Sequence, residues 1–193
     1  MPVLMEPRGA IRGALGVLLL ALFPCVAVPA DGAGKLVREY DLKAAFLFNF
    51  AQFVEWPADA FPDADTPITI CILGDDPLGG SLDEIIANEV VRNRRLVVRR
   101  YRAVEESTAC HILYVSPSET AHVDQILAYL NHRSILTVGE TEGFSGRSGM
   151  IRFVVAGTKV RLRINLEAAR AGRLTISSKL LRLAEIVSAE PVR

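Results

Sequence analysis

The residues of this 193-residue chain that could do chemistry are three cysteines, three histidines, an aspartate pair beside glycines, and two serines among glycines. Gly74-Asp75-Asp76-Pro77-Leu78-Gly79-Gly80 has the composition of a phosphate-cradling loop, in which backbone amides freed by glycine would face an anion. It matches neither GxGxxG nor GxxxxGK(S/T), so phosphate chemistry is not assigned to it. Asp75 and Asp76 with Thr137 could form a receiver-like acidic cluster, but no lysine ends a fifth parallel strand. Ser145 and Ser148 fail as nucleophiles of the elbow type, which needs glycine two residues to either side; Arg147 and Met150 occupy the downstream positions. His111, His122 and His132 share no metal-ligand spacing with cysteine or carboxylate neighbours, and no CxxC pair is present. Local motifs therefore point to binding rather than catalysis, with no cofactor and no metal.

Bulk properties narrow the binding classes. The chain carries 22 basic and 22 acidic residues, 50% hydrophobic residues, 14 Gly and 10 Pro, which excludes collagen, coiled coil and disordered tail. Zero formal charge gives no basic footprint for nucleic acid or anionic membrane. Residues 1–30 read as a secretory leader: Arg8 and Arg12 precede the apolar run Ala14 to Val28, and Val28-Pro29-Ala30 offers small residues at the cleavage positions. An uncleaved anchor would need roughly 20 unbroken apolar residues, and Pro24 interrupts this shorter run. Cys25 raises a lipoprotein alternative, but Phe23-Pro24 is a poor match to the small residues such processing prefers. The mature chain, 31–193, is then a single domain of near-neutral charge, with no direct membrane insertion after cleavage. An exported protein also lacks the ordinary phosphodonor of a receiver.

Behind these residues, helix-period and strand-period segments alternate with short breaks, which predicts an α/β domain. Residues 39–55 form a first helix with Leu42, Phe46, Asn49, Phe50 and Phe53 on one stripe. Phe48 lies off that stripe and is a candidate subunit contact, although single exposed apolar residues are common. Ile68 to Leu73 is continuously apolar, as in a strand covered on both faces. Ser81-Leu82-Asp83-Glu84 reads as a capping box opening a helix over 82–90. A strand over 96–101 follows, amid Arg94, Arg95, Arg99, Arg100 and Arg102. These arginines are either an acidic-partner surface, with Arg99 and Arg100 as interface candidates, or guards of an exposed edge strand.

A strand over 111–115 leads into Ser116-Pro117-Ser118-Glu119, a cap, first-turn proline and capping-box acid for a helix reaching Asn131. Residues 135–138 make a fourth strand, and the glycine-rich 139–149 a loop. Ile151, Phe153 and Val155 alternate, as do Val160, Leu162 and Ile164, with a turn at 156–158: an antiparallel hairpin. Asn165 caps residues 166–171, Gly172 ends that helix in a left-handed conformation, and Ser177 caps a terminal helix bearing Leu180, Leu181, Ala184 and Val187. The fold expected is a mixed sheet of about six strands: a parallel doubly wound N-terminal part, the C-terminal hairpin, and helices on both faces.

Leader cleavage leaves two thiols, Cys71 and Cys110, in an oxidising compartment, which favours one disulfide over two buried free cysteines. A strand order beginning 2-1-3 makes their strands neighbours. The same order places Asp75, Asp76, Ser116, Gly139 and Glu140 at strand C-terminal ends, where doubly wound folds bind ligands. These are candidate pocket residues, and the competing reading makes them helix caps and turns.

The ordered motifs Lys43-Ala44-Ala45-Phe46-Leu47-Phe48-Asn49-Phe50, Phe53-Val54-Glu55-Trp56-Pro57, Cys71-Ile72-Leu73-Gly74-Asp75-Asp76-Pro77 and Cys110-His111-Ile112-Leu113 resemble the YfiR-like family of exported bacterial proteins. So do Ile135-Leu136-Thr137-Val138, Gly143-Phe144, Gly149-Met150-Ile151, Arg163-Ile164-Asn165 and Ile176-Ser177-Ser178-Lys179-Leu180-Leu181. The resemblance covers nearly all of the mature chain. It departs at Arg147-Ser148-Gly149, where Gly-Gly commonly precedes the Met-Ile strand, and in lacking a second cysteine pair. It implies a periplasmic regulatory protein, a homodimer, that represses a membrane-bound diguanylate cyclase through its periplasmic region and so lowers cyclic di-GMP and biofilm formation. The alternative is a periplasmic small-molecule receptor.

Overall fold

The computed structural model describes residues 31–157 and 159–188; the leader expected over 1–30 lies outside them. Helix α1 (Asp31–Phe53) runs into the short strand β1 (Val54–Glu55), and Pro57 caps a single 3-10 turn, Ala58–Ala60. There follow β2 (Ile68–Leu73), α2 (Gly80–Ile86), β3 (Val90–Val91), β4 (Arg94–Tyr101), β5 (Ile112–Val115), α3 (Val123–Leu130) and β6 (Leu136–Gly139). The hairpin β7 (Ile151–Ala156) and β8 (Lys159–Asn165), α4 (Leu166–Ala171), β9 (Thr175–Ile176), α5 (Ser178–Leu181) and β10 (Ala184–Val187) complete the described chain.

The eight-stranded sheet has the order β10-β8-β7-β6-β5-β2-β4-β3, and β1 pairs with β9 in a separate two-stranded ribbon. β4, β2, β5 and β6 are mutually parallel, so the 2-1-3 beginning holds. β7 and β8 pair antiparallel from Ile151↔Ile164 to Ala156↔Lys159, which makes the sheet mixed. Alternation along β2 explains why it reads as unbroken apolar sequence. Ile68, Ile70 and Ile72 face a core shared with α1 and α2, whereas Cys71 and Leu73 face the core under α3.

Several expectations fail for identifiable reasons. The buried side of α1 is Lys43, Ala44, Leu47, Phe50 and Ala51, about one residue out of phase with the predicted stripe, and Leu42 is exposed. Ala44 and Ala51 let the helix approach closely, while Phe46 and Phe50 pack with Phe153, their ring centroids about 6 Å apart. Ser81 is not the cap of α2; Gly79 holds that position with φ 55°, and Ser81 Oγ donates to Asp41 instead, at 2.5 Å. Glu119 does not close a capping box, because the Ser116 amide donates to Leu73 in the sheet and residues Pro117–His122 form 3-10 turns before α3 begins.

At the C-terminus the predicted helix shrinks to the single turn α5, capped by Ser177 as expected. Residues 184–187 instead form β10, parallel to β8. Helical and extended patterns are indistinguishable over so few residues, and the open edge of β8 supplies backbone partners that decide the outcome. Gly172 is right-handed at φ −80°, and Arg173 takes the left-handed conformation at φ 58°. Gly172 is needed for space: a Cβ there would lie 2.7 Å from the Met150 methyl and 2.8 Å from the Arg133 carbonyl. β3 and β10 raise the sheet from about six strands to eight.

Candidate functional site

The C-terminal ends of β2, β5 and β6 are where a doubly wound sheet opens a crevice, and here α1 closes it. Lys43 is fully buried on α1 and donates to Glu39 and to Glu140, each at 2.5 Å. Its ammonium also stands 4.3 Å from the centre of the Tyr40 ring. Tyr114, buried on β5, donates its hydroxyl to the other oxygen of Glu140. Arg152 on β7 donates to the Glu140 carbonyl at 3.3 Å. One lysine thus joins the first helix to the end of β6, 97 residues away in sequence.

Burial, and then the Glu140 charge, push the Tyr114 phenol far above the ordinary tyrosine range; the same two causes, in that order, raise Tyr40. Both phenols are therefore held neutral, Tyr114 as a donor to Glu140 and Tyr40 as the ring beneath the Lys43 ammonium. The assembly behaves as a polar clamp: a cation between two carboxylates, each ligand to it satisfied. It holds no activated nucleophile and no acid–base pair poised over an open space.

The five candidate pocket residues do gather at this edge, but each is occupied by its own protein. Asp76 accepts from the amides of Leu78 and Gly79 at 2.8 and 3.1 Å, and its second oxygen takes Arg100 at 2.7 Å. Asp75 pairs with Arg102, and its amide donates to Ser118 at 2.9 Å. Ser116 is buried and accepts weakly from the Ser118 amide. Gly139 makes room for Phe144, whose ring would lie 2.6 Å from a Cβ there. Glu140 belongs to the clamp. The competing reading, caps and turn residues, describes Asp76 and Ser116, whereas Gly139 ends strand β6 and is needed for space, and sequence reasoning missed Lys43 and Tyr114. The available signal for Lys43 was its i,i+4 spacing from Glu39; hydropathy argued the other way.

With this geometry in place, a family model described as YfiR/HmsC-like matches residues 40–185. The chain belongs to the YfiR/HmsC-like family. The matched span opens at Tyr40 in the clamp and ends within β10, so it takes in seven strands of the sheet in full and the first half of the eighth. The family is one of periplasmic regulators rather than catalysts. No curated protein matches the chain. Among the described residues no helix is long and apolar enough to cross a membrane, and no three His, Cys, Asp or Glu side chains group as metal ligands.

In this YfiR/HmsC-like chain Cys71 and Cys110 form a disulfide, with Cα atoms 5.9 Å apart. Both are buried in the core under α3. Next to it His111 is a structural residue. Its Nδ1 accepts from the Thr69 amide at 3.1 Å, which leaves Nε2–H to donate to Ala60 at 3.2 Å. Burial pushes its pKa below the ordinary value.

The interface candidates divide. Phe48 is half-buried against the core shared with α1, so its expected exposure is corrected. Arg100 is held by Asp76 and by Asp83 at 2.5 Å, which raises its pKa further, and Arg94 donates to the carbonyls of Asp63, Ala64 and Thr66. Arg99 is exposed. Most of the basic cluster is therefore internally paired. Of the exposed large apolar side chains, Val90 lies beside this cluster on β3, opposite Arg95, and the others lie on α1 at Leu36, Val37 and Leu42, on β7 at Val155, and around edge strand β10 at Leu183 and Ile186.

Proposed function

We propose that this protein is a periplasmic repressor that binds the periplasmic region of a membrane-bound diguanylate cyclase and holds it inactive, lowering cyclic di-GMP and with it biofilm formation. The observation that carries the reading is the family match over residues 40–185. Two features of the chain support a role in binding. Its strand ends are filled by the Lys43 clamp instead of opening onto a reaction centre, and Leu183, just before edge strand β10, and Ile186 within it are exposed to 68% and 48%. In this reading residues 1–30 are a leader removed on export, and the mature chain acts as a homodimer. Repression requires tighter binding to the inactive cyclase than to the active one, because equal affinity shifts no equilibrium.

The test is capture of the tagged protein from detergent-solubilised membranes of its native host, with mass spectrometry of what is retained and assay of cyclase activity. A retained cyclase whose activity falls on adding the protein is the expected result. If no cyclase is held and none responds, the repressor reading fails.

A further inference from the structure

Across the sheet from the Lys43 clamp, the N-terminal ends of β2, β5 and β6 border a cavity of about 510 Å³, within the size range of small-molecule sites. Its formal charges are Arg133 and Arg173 against Asp59. Arg173 spans the mouth, donating to Asp59 at 2.8 Å and to Ser134 at 3.3 Å. Two wall residues, His132 and Arg173, hold left-handed backbone at φ 61° and 58°, the kind of conformation that concentrates at ligand-binding positions. The rest of the lining is mixed: Ala60, Pro62, Ala109, Ile135 and Cys110 of the disulfide supply an apolar wall, and Thr66 and Thr108 add hydroxyls. His111 adds no charge, since its Nδ1 accepts a backbone amide proton.

We propose that this cavity is a binding site for a small organic carboxylate with an apolar body. The carboxylate is recognised by the guanidinium of Arg173, and the body lies against Ile135, Ala109 and the disulfide; Arg133, whose guanidinium stacks on Tyr129 at 4.7 Å, adds a second positive charge to the lining. A guanidinium offers five donors in a planar fork that fits a carboxylate. Arg173 already holds one in Asp59, in an ion pair whose two side chains are 58% and 63% exposed. Such pairs are weak in water, so an incoming carboxylate can exchange with Asp59. Two guanidiniums against one carboxylate favour an anion over a cation. The inference does not rest on the repressor reading.

The test uses benzoate as probe, titrated into the disulfide-intact protein and followed by amide NMR, with benzamidine as the cationic counterpart of equal shape. Benzoate is expected to saturate at about 10 mM or below, shifting amides in 59–61, 108–111, 132–135 and 173. Arg173→Gln should weaken it at least about tenfold. Asp59→Asn removes the competing carboxylate and should tighten benzoate severalfold, a gain that a damaged fold would not produce. Benzamidine binding as well as benzoate, shifts centred elsewhere, or an Asp59→Asn variant that binds no better would each overturn the proposal.

Discussion

Replacing Lys43 with Met tests whether the clamp holds α1 in place. The thioether keeps most of the volume of the lysine stem but removes the ammonium, leaving Glu39 and Glu140 facing each other across a closed crevice. Removing one member of a fully buried ion pair costs about 3–5 kcal/mol, because the surviving charge is left without compensation. The side chains of Glu39 and Glu140 retain 19% and 15% of their exposure, so some water reaches them and about 2–4 kcal/mol is expected here. At roughly 2–4 °C per kcal/mol for a domain of this size, Tm should fall by about 4–16 °C. Urea unfolding followed by fluorescence of Trp56 reads the loss independently. This is the chain's only tryptophan, and it sits at the opposite edge of the sheet with its indole donating to the His111 carbonyl. Adding Glu140→Gln to the Lys43→Met protein removes the stranded charge and should recover a substantial part of the stability. A Lys43→Met protein within about 0.5 kcal/mol of the wild type, or a double variant no more stable than the single one, would refute the clamp.

Three further predictions address the frame around it. The disulfide closes a loop across 39 positions, for which chain entropy gives about 4 kcal/mol; Cys71→Ala with Cys110→Ala should lower the urea midpoint accordingly, and an unchanged midpoint would assign the bridge no structural role. Burial holds His111 below its ordinary pKa of 6.5, so the unfolded chain takes up its proton first. Stability should therefore fall as pH drops below about 6.5, by up to ~1.4 kcal/mol per pH unit until the folded pKa is reached. His111→Gln should flatten that slope relative to the wild type, and equal slopes would count against the assignment. Ser148 is exposed and left-handed at φ 78°, where a side chain costs about 1–2 kcal/mol. Ser148→Gly should raise the unfolding midpoint by up to that amount and Ser148→Ala should not, so a Gly variant no more stable than wild type would dismiss the strain.

The sequence legibly carried the parallel centre of the sheet. The unbroken run Ile68–Leu73 needs cover on both faces, and the hairpin around Gly157 alternates at period two on both sides. The bridge is expected from the cysteine pair left after leader removal, and the same strand order makes its two strands neighbours. What hid was decided by partners distant in sequence. Lys43 reads as a solvent-facing residue until Glu140 and Tyr114 arrive from β6 and β5 to satisfy it. Phe48 looked exposed because the assumed phase of α1 was set by phenylalanines that flank its buried side instead of centring it. β10 looked helical because its partner, the edge of β8, leaves no mark in its own sequence. The Gly-Gly pattern absent at Arg147-Ser148-Gly149 did mark a real feature. Ser148 occupies left-handed backbone without a glycine, while Gly149 is kept where a Cβ would strike Phe144 at 2.3 Å.

The pairing of β1 with β9 has a consequence for how the chain assembles. Val54 lies opposite Ile176 and Glu55 opposite Thr175, and the Ser177 amide donates to Phe53 at 2.8 Å. Phe46 and Phe50 meet Phe153, and Lys43 meets Glu140. α1 also packs on α2, where Ser81 donates to Asp41, but the ties just named come from residues about 95 to 125 positions later. Such non-local pairing raises contact order, and the entropy of loop closure must be met before those contacts return any stability. A chain delivered N-terminus first can pack α1 on α2 early, but the ties of α1 to β6 through β9 wait until those residues have emerged, and until then the side of Phe46 and Phe50 that meets Phe153 remains open to off-pathway association. Folding of this domain is accordingly completed late, and truncation near residue 175 removes ties that its surface loops do not supply.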